Sequence, residues 1–246
     1  MQPKSIKVAV LVAGPASPFT RHLHGDYGDL LINLLRHDVL QFEKFFVYQG
    51  HFPPRVHEFD LLMITGSQFD AHGTDPWIVQ LHELIRRFYD SNGKMLGICF
   101  GHQAIAHALG GRAGRNPSGW ECGSFPLRGH NNTLLGPAID GLAIVEMHQD
   151  HVFQLPKQAV VHGETSRTAI QIMTLNERVL GIQGHPEFTA DIVQDLLASR
   201  YQAGLIGEEL FRDGQNSLSL EVSRDAWRKL ILDFFGFATE SEHPGD

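Results

Sequence analysis

Apolar positions along this chain follow two rhythms, and the balance between them shifts midway. In the first part, short apolar runs alternate with stretches whose apolar residues recur every three to four positions. That is the pattern of strands alternating with helices around a mostly parallel α/β sheet. Ile6–Ala13 reads as a buried first strand. Tyr27, Leu30, Leu31, Leu34 and Leu35 then share one helical face. Phe42–Tyr48 and Leu61–Thr65 are the next strand candidates. Asp75-Pro76 opens a helix, a capping residue followed by proline at the first helical position. Trp77, Leu81, Leu84, Ile85 and Phe88 form its buried face, and Asn92-Gly93 ends it. Lys94–Ile98 predicts a fourth strand, and His102–Leu109 a short helix closed by Gly110-Gly111.

From Cys122 to Gln183 strand candidates dominate: Cys122–Leu127, Ala143–Met147, Ala159–His162, Ala169–Thr174 and Val179–Ile182. Two helical patterns follow. One covers Ala190–Ala203; the other sets Ala226, Trp227, Leu230, Ile231, Phe234 and Phe235 on one face. No internal repeat or linker interrupts the chain, so a single domain over residues 1–238 is expected. The polar stretch Thr239–Asp246 is expected to be a disordered tail.

Composition narrows the function classes. Of 246 residues, 42% are apolar and 20% charged, ordinary values for a globular chain. The net charge of −8 argues against a nucleic-acid partner, which needs a basic surface. No run approaches the roughly 20 apolar residues of a membrane span, so no membrane partner is expected. Val8–Ala13 is shorter than the roughly 7–15 residues of a signal-peptide core. The two cysteines, Cys99 and Cys122, imply no disulfide framework. A reducing, cytoplasmic location is therefore expected.

The strongest chemical signal is Gly97-Ile98-Cys99-Phe100-Gly101-His102-Gln103. It reads strand, then G-x-C-x-G, then helix: the cysteine form of a nucleophile elbow. Gly97 and Gly101 carry no Cβ to clash where the strand folds back on the helix. The turn would hold the sulfur at the C-terminal edge of the sheet, where open α/β folds bind ligands. A helix starting just past Cys99 favours a thiolate and offers the Phe100 N–H to an oxyanion. The alternative is a buried structural cysteine between two chance glycines.

A thiol nucleophile needs a proton acceptor. There are 15 histidines. His185, in Gln183-Gly184-His185-Pro186-Glu187, follows the predicted strand Val179–Ile182 and so shares the sheet edge of Cys99. Glu187, two residues on and beyond a stiffening proline, can orient the imidazole. Cys99, His185 and Glu187 are the predicted catalytic triad; a surface turn with a chance His and Glu is the alternative. His102, His107, His148 and His151 have no carboxylate or cysteine at ligand spacing and read as surface or pocket-lining, so no metal is expected. G-x-S-x-G and H-E-x-x-H are both absent, which argues against serine and zinc hydrolases.

The two segments together resemble the class I glutamine amidotransferases, with the cysteine elbow early and H-P-E later. The resemblance runs from about Ile6 to Arg200. It implies a flavodoxin-like α/β fold: a mostly parallel central sheet flanked by helices, with a small antiparallel sheet inserted before the histidine. It implies attack on a γ-glutamyl carbonyl through a thioester, with no cofactor. It also implies a second oxyanion donor in Thr65-Gly66-Ser67, and a glutamyl pocket lined by Gln103, Gln149 and Asp150. The loop departs from the usual pair of glycines and proline. The stretch Thr65–Ile78 and the run Met147-His148-Gln149-Asp150-His151 look instead like stand-alone γ-glutamyl peptidases. A small-molecule γ-glutamyl substrate is the partner this implies. No P-loop is present, so this chain is not expected to activate an acceptor with ATP. Two other readings stay open: a glutaminase subunit feeding ammonia to a separate synthase partner, and a non-catalytic binding protein on this fold. Cys122, in Trp120-Glu121-Cys122-Gly123, is either a core thiol or a pocket-wall position, and no disulfide to Cys99 is expected.

Overall fold

The computed structural model describes residues 5–237. The expected tail from Thr239, and residues 1–4 and 238 of the expected domain, lie outside the described residues.

The strands in chain order are β1 (Ile6–Val12), β2 (Leu40–Phe46), β3 (Leu61–Ile64), β4 (Lys94–Ile98), β5 (Arg112–Arg115), β6 (Glu121–Pro126), β7 (Arg128–Gly129), β8 (Ala143–His148), β9 (Asp150–Gln154), β10 (Ala159–Glu164), β11 (Ile172–Leu175) and β12 (Val179–Ile182). The helices are α1 (Pro18–Leu23), α2 (Tyr27–Leu35), α3 (Pro76–Asp90), α4 (Phe100–Ala108), α5 (Gly136–Ile139), α6 (Ala190–Gln202), α7 (Glu208–Ser217) and α8 (Arg224–Phe234). An eight-stranded sheet has the order β2-β1-β3-β4-β12-β11-β10-β7. Its first five strands are parallel neighbours; β11, β10 and β7 extend it antiparallel.

The buried strands sort their side chains by parity, because successive residues point to opposite faces. Val8, Val10, Leu61, Met63, Leu96, Ile98, Leu180 and Ile182 face α2 and α8, against Leu31, Leu34, Leu35, Trp227 and Ile231. Ala9, Leu11, Leu62, Ile64, Met95 and Val179 face α3 and α4, against Leu81, Ile85, Phe88 and Ile105. Each fully buried Leu, Ile or Phe contributes roughly 1.5–3 kcal/mol. Both faces covered is what a parallel sheet requires, and it explains the near-continuous apolar runs.

The mostly parallel α/β sheet flanked by helices agrees with the sequence reading. Several details differ. β2 is an edge strand and begins earlier than expected, at Leu40. Its residues after Leu40 are half-exposed or exposed, which weakens the hydrophobic signal. The expected strand at Ala169–Thr174 is Ile172–Leu175. Asp75 occupies the N-cap of α3, but its side chain makes no capping hydrogen bond. The antiparallel part is not one small sheet. β5 pairs with β9 and β6 with β8 as separate ladders, while β11, β10 and β7 join the main sheet. α7 was not predicted: its sequence is largely polar and Gly214 is its one buried residue. Among the described residues no helix is long and apolar enough to cross a membrane.

Candidate active site

Cys99 sits between the end of β4 and the start of α4, with φ 49° and ψ −103°. Other non-glycine residues with positive φ, Asn92, Gln158, Asn176 and Glu177, occupy exposed turns; Cys99 is buried at the end of a core strand. Such a conformation costs on the order of 1–3 kcal/mol and persists only where its surroundings enforce it. Here they do. The Cys99 N–H donates to Ile182 O at 2.8 Å, continuing the β12 ladder, while its carbonyl accepts from Gln103 N at 3.0 Å, starting α4. The glycines make the turn possible. A Cβ on Gly97 would lie 2.5 Å from the Gly101 carbonyl, and one on Gly101 would lie 2.3 Å from Ile64 O.

His185 follows β12, the neighbour of β4, so both candidates lie at adjacent strand ends. Its N–H donates to Val145 O at 2.7 Å, pinning the loop to β8. Its ring Nδ1–H donates to Glu187 Oε1 at 2.8 Å. That bond leaves Nε2 available to Cys99, which lies close enough to act on the imidazole's charge. Phe188 stacks on the imidazole, centroids 4.0 Å apart and planes 10° apart, and Tyr27 stacks on Phe188. Burial alone would lower the His185 pKa, but the facing charges of Glu187 and Cys99 raise it to about 10. The arrangement can hold a thiolate–imidazolium pair and deliver a proton from the imidazole.

Gly66 closes the other side. A Cβ there would meet His185 Cε1 at 2.7 Å and Cys99 Cβ at 3.7 Å. Thr65 Oγ1 donates to Gly66 O at 2.9 Å and accepts from Ala13 N at 3.0 Å. Because the Gly66 carbonyl is tied back, the Ser67 N–H of the same trans peptide points the opposite way. The Ser67 hydroxyl donates to Ala13 O at 2.8 Å. Phe100 opens α4, so its N–H has no intrahelical acceptor. The predicted oxyanion donors, Phe100 and the Gly66-Ser67 loop, therefore flank Cys99 with amide groups not consumed by secondary structure.

A cavity of about 480 Å³ opens over Cys99 and is walled by Ser67, Gln103, Gln149 and Asp150 among others. The sequence-predicted pocket residues are thus brought together. A larger, apolar hollow of about 630 Å³ lies between α5 and α8 and includes none of them. Gln103 Nε2 donates to Asp150 O at 2.8 Å and to Gln183 Oε1 at 3.1 Å, and Gln183 Nε2 lies 3.7 Å from Cys99 Sγ. Gln183 had no predicted role; a fully buried amide at the end of an apolar strand is the signal that marks it. Cys122 is 1% exposed, packs with Val145, Ile192 and Leu197, and does not line the cavity. Burial pushes its thiol up to about 12, so it is a core thiol. Both cysteines are free.

Two histidines depart from expectation. His102 is fully buried beneath Gly181, not at the surface, and burial lowers it to about 3. His148 lines the cavity over Cys99, as expected, but it is buried and does have carboxylate neighbours: Nε2 lies 3.0 Å from Glu146 Oε2 and 3.5 Å from Glu121 Oε2, while Nδ1 bonds Asp150 O at 2.9 Å. Burial would lower His148, but the two glutamates raise it to about 10. Burial raises Glu146 to about 7. Glu121 Oε2 also accepts from Thr168 Oγ1 and Gln171 Nε2. Among the described residues these three are the set whose ligand atoms converge as a metal's would, all within 4.8 Å. An imidazolium between two carboxylates gives the same geometry.

The profile of the family described as "Glutamine amidotransferase class-I" matches residues 26–198. Gamma-glutamyl peptidase 4 of Arabidopsis thaliana is 31% identical over 242 residues, covering 93% of this chain and 94% of that protein. Gamma-glutamyl peptidase 5 of the same plant is 29% identical over 237 residues, with 93% and 94% covered. The crystal structure of a glutamine amidotransferase from Thermotoga maritima superposes with a TM-score of 0.72 at 18% identity, covering 94% of this chain and 98% of that one. The elbow, the H-P-E segment and the sheet order thus occur in a chain matched by the family profile over most of its length, and the protein belongs to the class I glutamine amidotransferase family.

Proposed function

We propose that this protein is a cysteine-dependent hydrolase of γ-glutamyl amide bonds, acting on γ-glutamyl peptides or glutathione-type conjugates. The observation that carries the reading is the buried His185 ring, bonded at Nδ1 to Glu187 and set beside Cys99, whose side chain lines an open cavity. The Arabidopsis relatives named as γ-glutamyl peptidases, alike over nearly the whole chain, support the choice of substrate class.

The chemistry follows from the geometry. Cys99 Sγ attacks the γ-carbonyl as a thiolate, its proton held on His185. The developing oxyanion is met by the Phe100 N–H and by the amides of the Gly66-Ser67 loop. The C–N bond breaks as His185 returns the proton to the leaving amine, giving a γ-glutamyl thioester. His185 then takes a proton from water, which attacks the thioester and releases glutamate and the Cys99 thiol. Glu187 holds the ring tautomer throughout.

The test is a substrate panel on the purified chain, with glutamate release measured from γ-glutamyl-cysteinyl-glycine, an S-conjugate of it, and glutamine. Turnover of the peptides and its loss in Cys99→Ser support the reading. Turnover of glutamine alone refutes it in favour of an ammonia-supplying glutaminase. Peptide turnover that survives Cys99→Ser would remove the nucleophile from its role.

A further inference from the structure

The cavity over Cys99 is charged unevenly. On its β5–β9 side, Arg115 pairs with Asp150 at 2.9 Å and with Asp70 at 3.4 Å. That side presents charges of both signs, as an amino-acid head group does. On the α6 side stands Arg200, half-buried, with its guanidinium 6.0 Å over the ring of Trp120. Both residues line the same cavity as Cys99.

Among the described residues Arg200 has no ion-pair partner within 4 Å, and the carboxylates around the cavity are already engaged. Glu121, next to Trp120, turns inward to Thr168, Gln171 and His148. Glu187 bonds His185. Asp195, on the helix of Arg200, accepts from Ser17 Oγ at 2.6 Å. Asp70 and Asp150 hold Arg115. A partly desolvated cation without a counter-charge is an unfavourable feature unless something brings the charge to it. A guanidinium held near an aromatic ring and not by a carboxylate keeps its N–H groups free, and they match a carboxylate with two parallel hydrogen bonds.

We propose that Arg200, beside Trp120, is the receptor for a free carboxylate on the leaving-group side of the substrate. The inference rests on the γ-glutamyl reading above and narrows it. With the γ-carbonyl at Cys99, the glutamyl head lies toward the mixed-charge side and the departing amine toward Trp120 and Arg200. The substrates selected are γ-glutamyl peptides with one or two residues beyond the γ-linkage and an unblocked C-terminus. A two-residue leaving group reaches about 7 Å from the scissile nitrogen. Glutamine, whose leaving group is ammonia, has nothing for Arg200 to hold.

The test compares γ-glutamyl-cysteinyl-glycine, its C-terminal amide and glutamine as substrates of the native chain, Arg200→Ala and Arg200→Lys, with melting curves confirming that each variant folds. The native chain should prefer the free acid over the amide by about 10- to 100-fold in kcat/KM, the range of one charged hydrogen-bonded contact. Arg200→Ala should erase that preference through KM for the acid, leaving the amide and glutamine unchanged, and Arg200→Lys should restore part of it. Equal turnover of acid and amide by the native chain overturns the subsite while leaving γ-glutamyl cleavage standing. An equal loss on all three substrates in Arg200→Ala assigns Arg200 to the glutamyl carboxylate instead and also overturns it. No turnover of either peptide overturns the functional reading, and this inference with it.

Discussion

Gly66→Ala tests whether the loop after β3 and the imidazole share one rigid fit. Gly66 does not have a positive φ, so its backbone accepts an alanine. The added methyl would lie 2.7 Å from His185 Cε1, where carbon atoms rest at about 3.5–4.0 Å. About 1 Å must therefore be found. The loop cannot give it easily, because Thr65 Oγ1 ties it both to Ala13 N and to Gly66 O. The ring is braced by Glu187 at 2.8 Å and by the Phe188 face, yet it is the side chain of the pair and so moves first. Overpacking of this kind destabilises by roughly 1–3 kcal/mol. A displacement of about 1 Å at a reacting group lowers the rate on the order of 100-fold. The expected result is a folded protein with a modestly lower melting temperature and a kcat/KM for γ-glutamyl-cysteinyl-glycine reduced about 100-fold. The loss should sit in kcat. Full activity in a folded Gly66→Ala would show that the loop yields freely and refute the argument from fit.

Three further predictions follow from the same neighbourhood. Glu187→Gln removes the leading interaction that raises His185, leaving burial opposed by Cys99 alone, so the alkaline limb of the kcat/KM profile should move to lower pH and the maximum rate should fall about 100-fold or more; an unmoved limb would mean that Glu187 does not set the imidazole. Glu146 titrates at about 7 in the fold against 4.5 ordinarily, because burial disfavours its charge, so the folded state keeps a proton the unfolded chain has lost and stability falls as pH rises through that window. The melting temperature of Glu146→Gln should accordingly gain on that of the native chain as pH rises from about 4.5 to about 7, and parallel curves would refute this. Gln183→Leu keeps the volume but strips the amide that Gln103 and Cys99 contact; a loss of about 1–3 kcal/mol in chemical denaturation is expected, and no loss would mean that Gln103 and Asp150 hold without it.

The elbow was legible in the sequence because its constraints are local. Gly97 and Gly101 lie four residues apart, and each is needed by a contact within the turn or with the adjacent strand. His185 and Glu187 were legible for the same reason, being two residues apart at a strand end. What the sequence concealed depends on pairing between distant segments. Glu146 lies two positions before His148 on β8 and is readable from strand alternation, which points both to the same side. Glu121 is not: the β6–β8 ladder sets it directly opposite His148. Only knowledge of that register adds Glu121 to the Glu146–His148 pair and closes the buried network. α7 was missed for a different reason. Its contact with β6 runs through Gly214 and Ser217, and Leu210 and Phe211, its only large apolar residues, make too short a stripe to read.

The route of the chain between β4 and β12 also separates two kinds of residue. These strands are parallel neighbours, yet 84 positions separate Gly97 from its partner Gly181. Lengthening such an excursion raises the closure entropy slowly, by about 0.6 kcal/mol for each doubling. Gly66, Cys99 and His185 sit at the ends of three adjacent strands. Arg115, Trp120, Gln149 and Asp150 all come from the excursion. Substitutions and insertions there can reshape what the cavity admits while the sheet keeps the thiol and imidazole in register. On this layout leaving-group preference can diverge while the chemistry is kept, but a graft of residues 112–154 would carry only the Trp120 wall of the proposed carboxylate site, because Arg200 stands on α6.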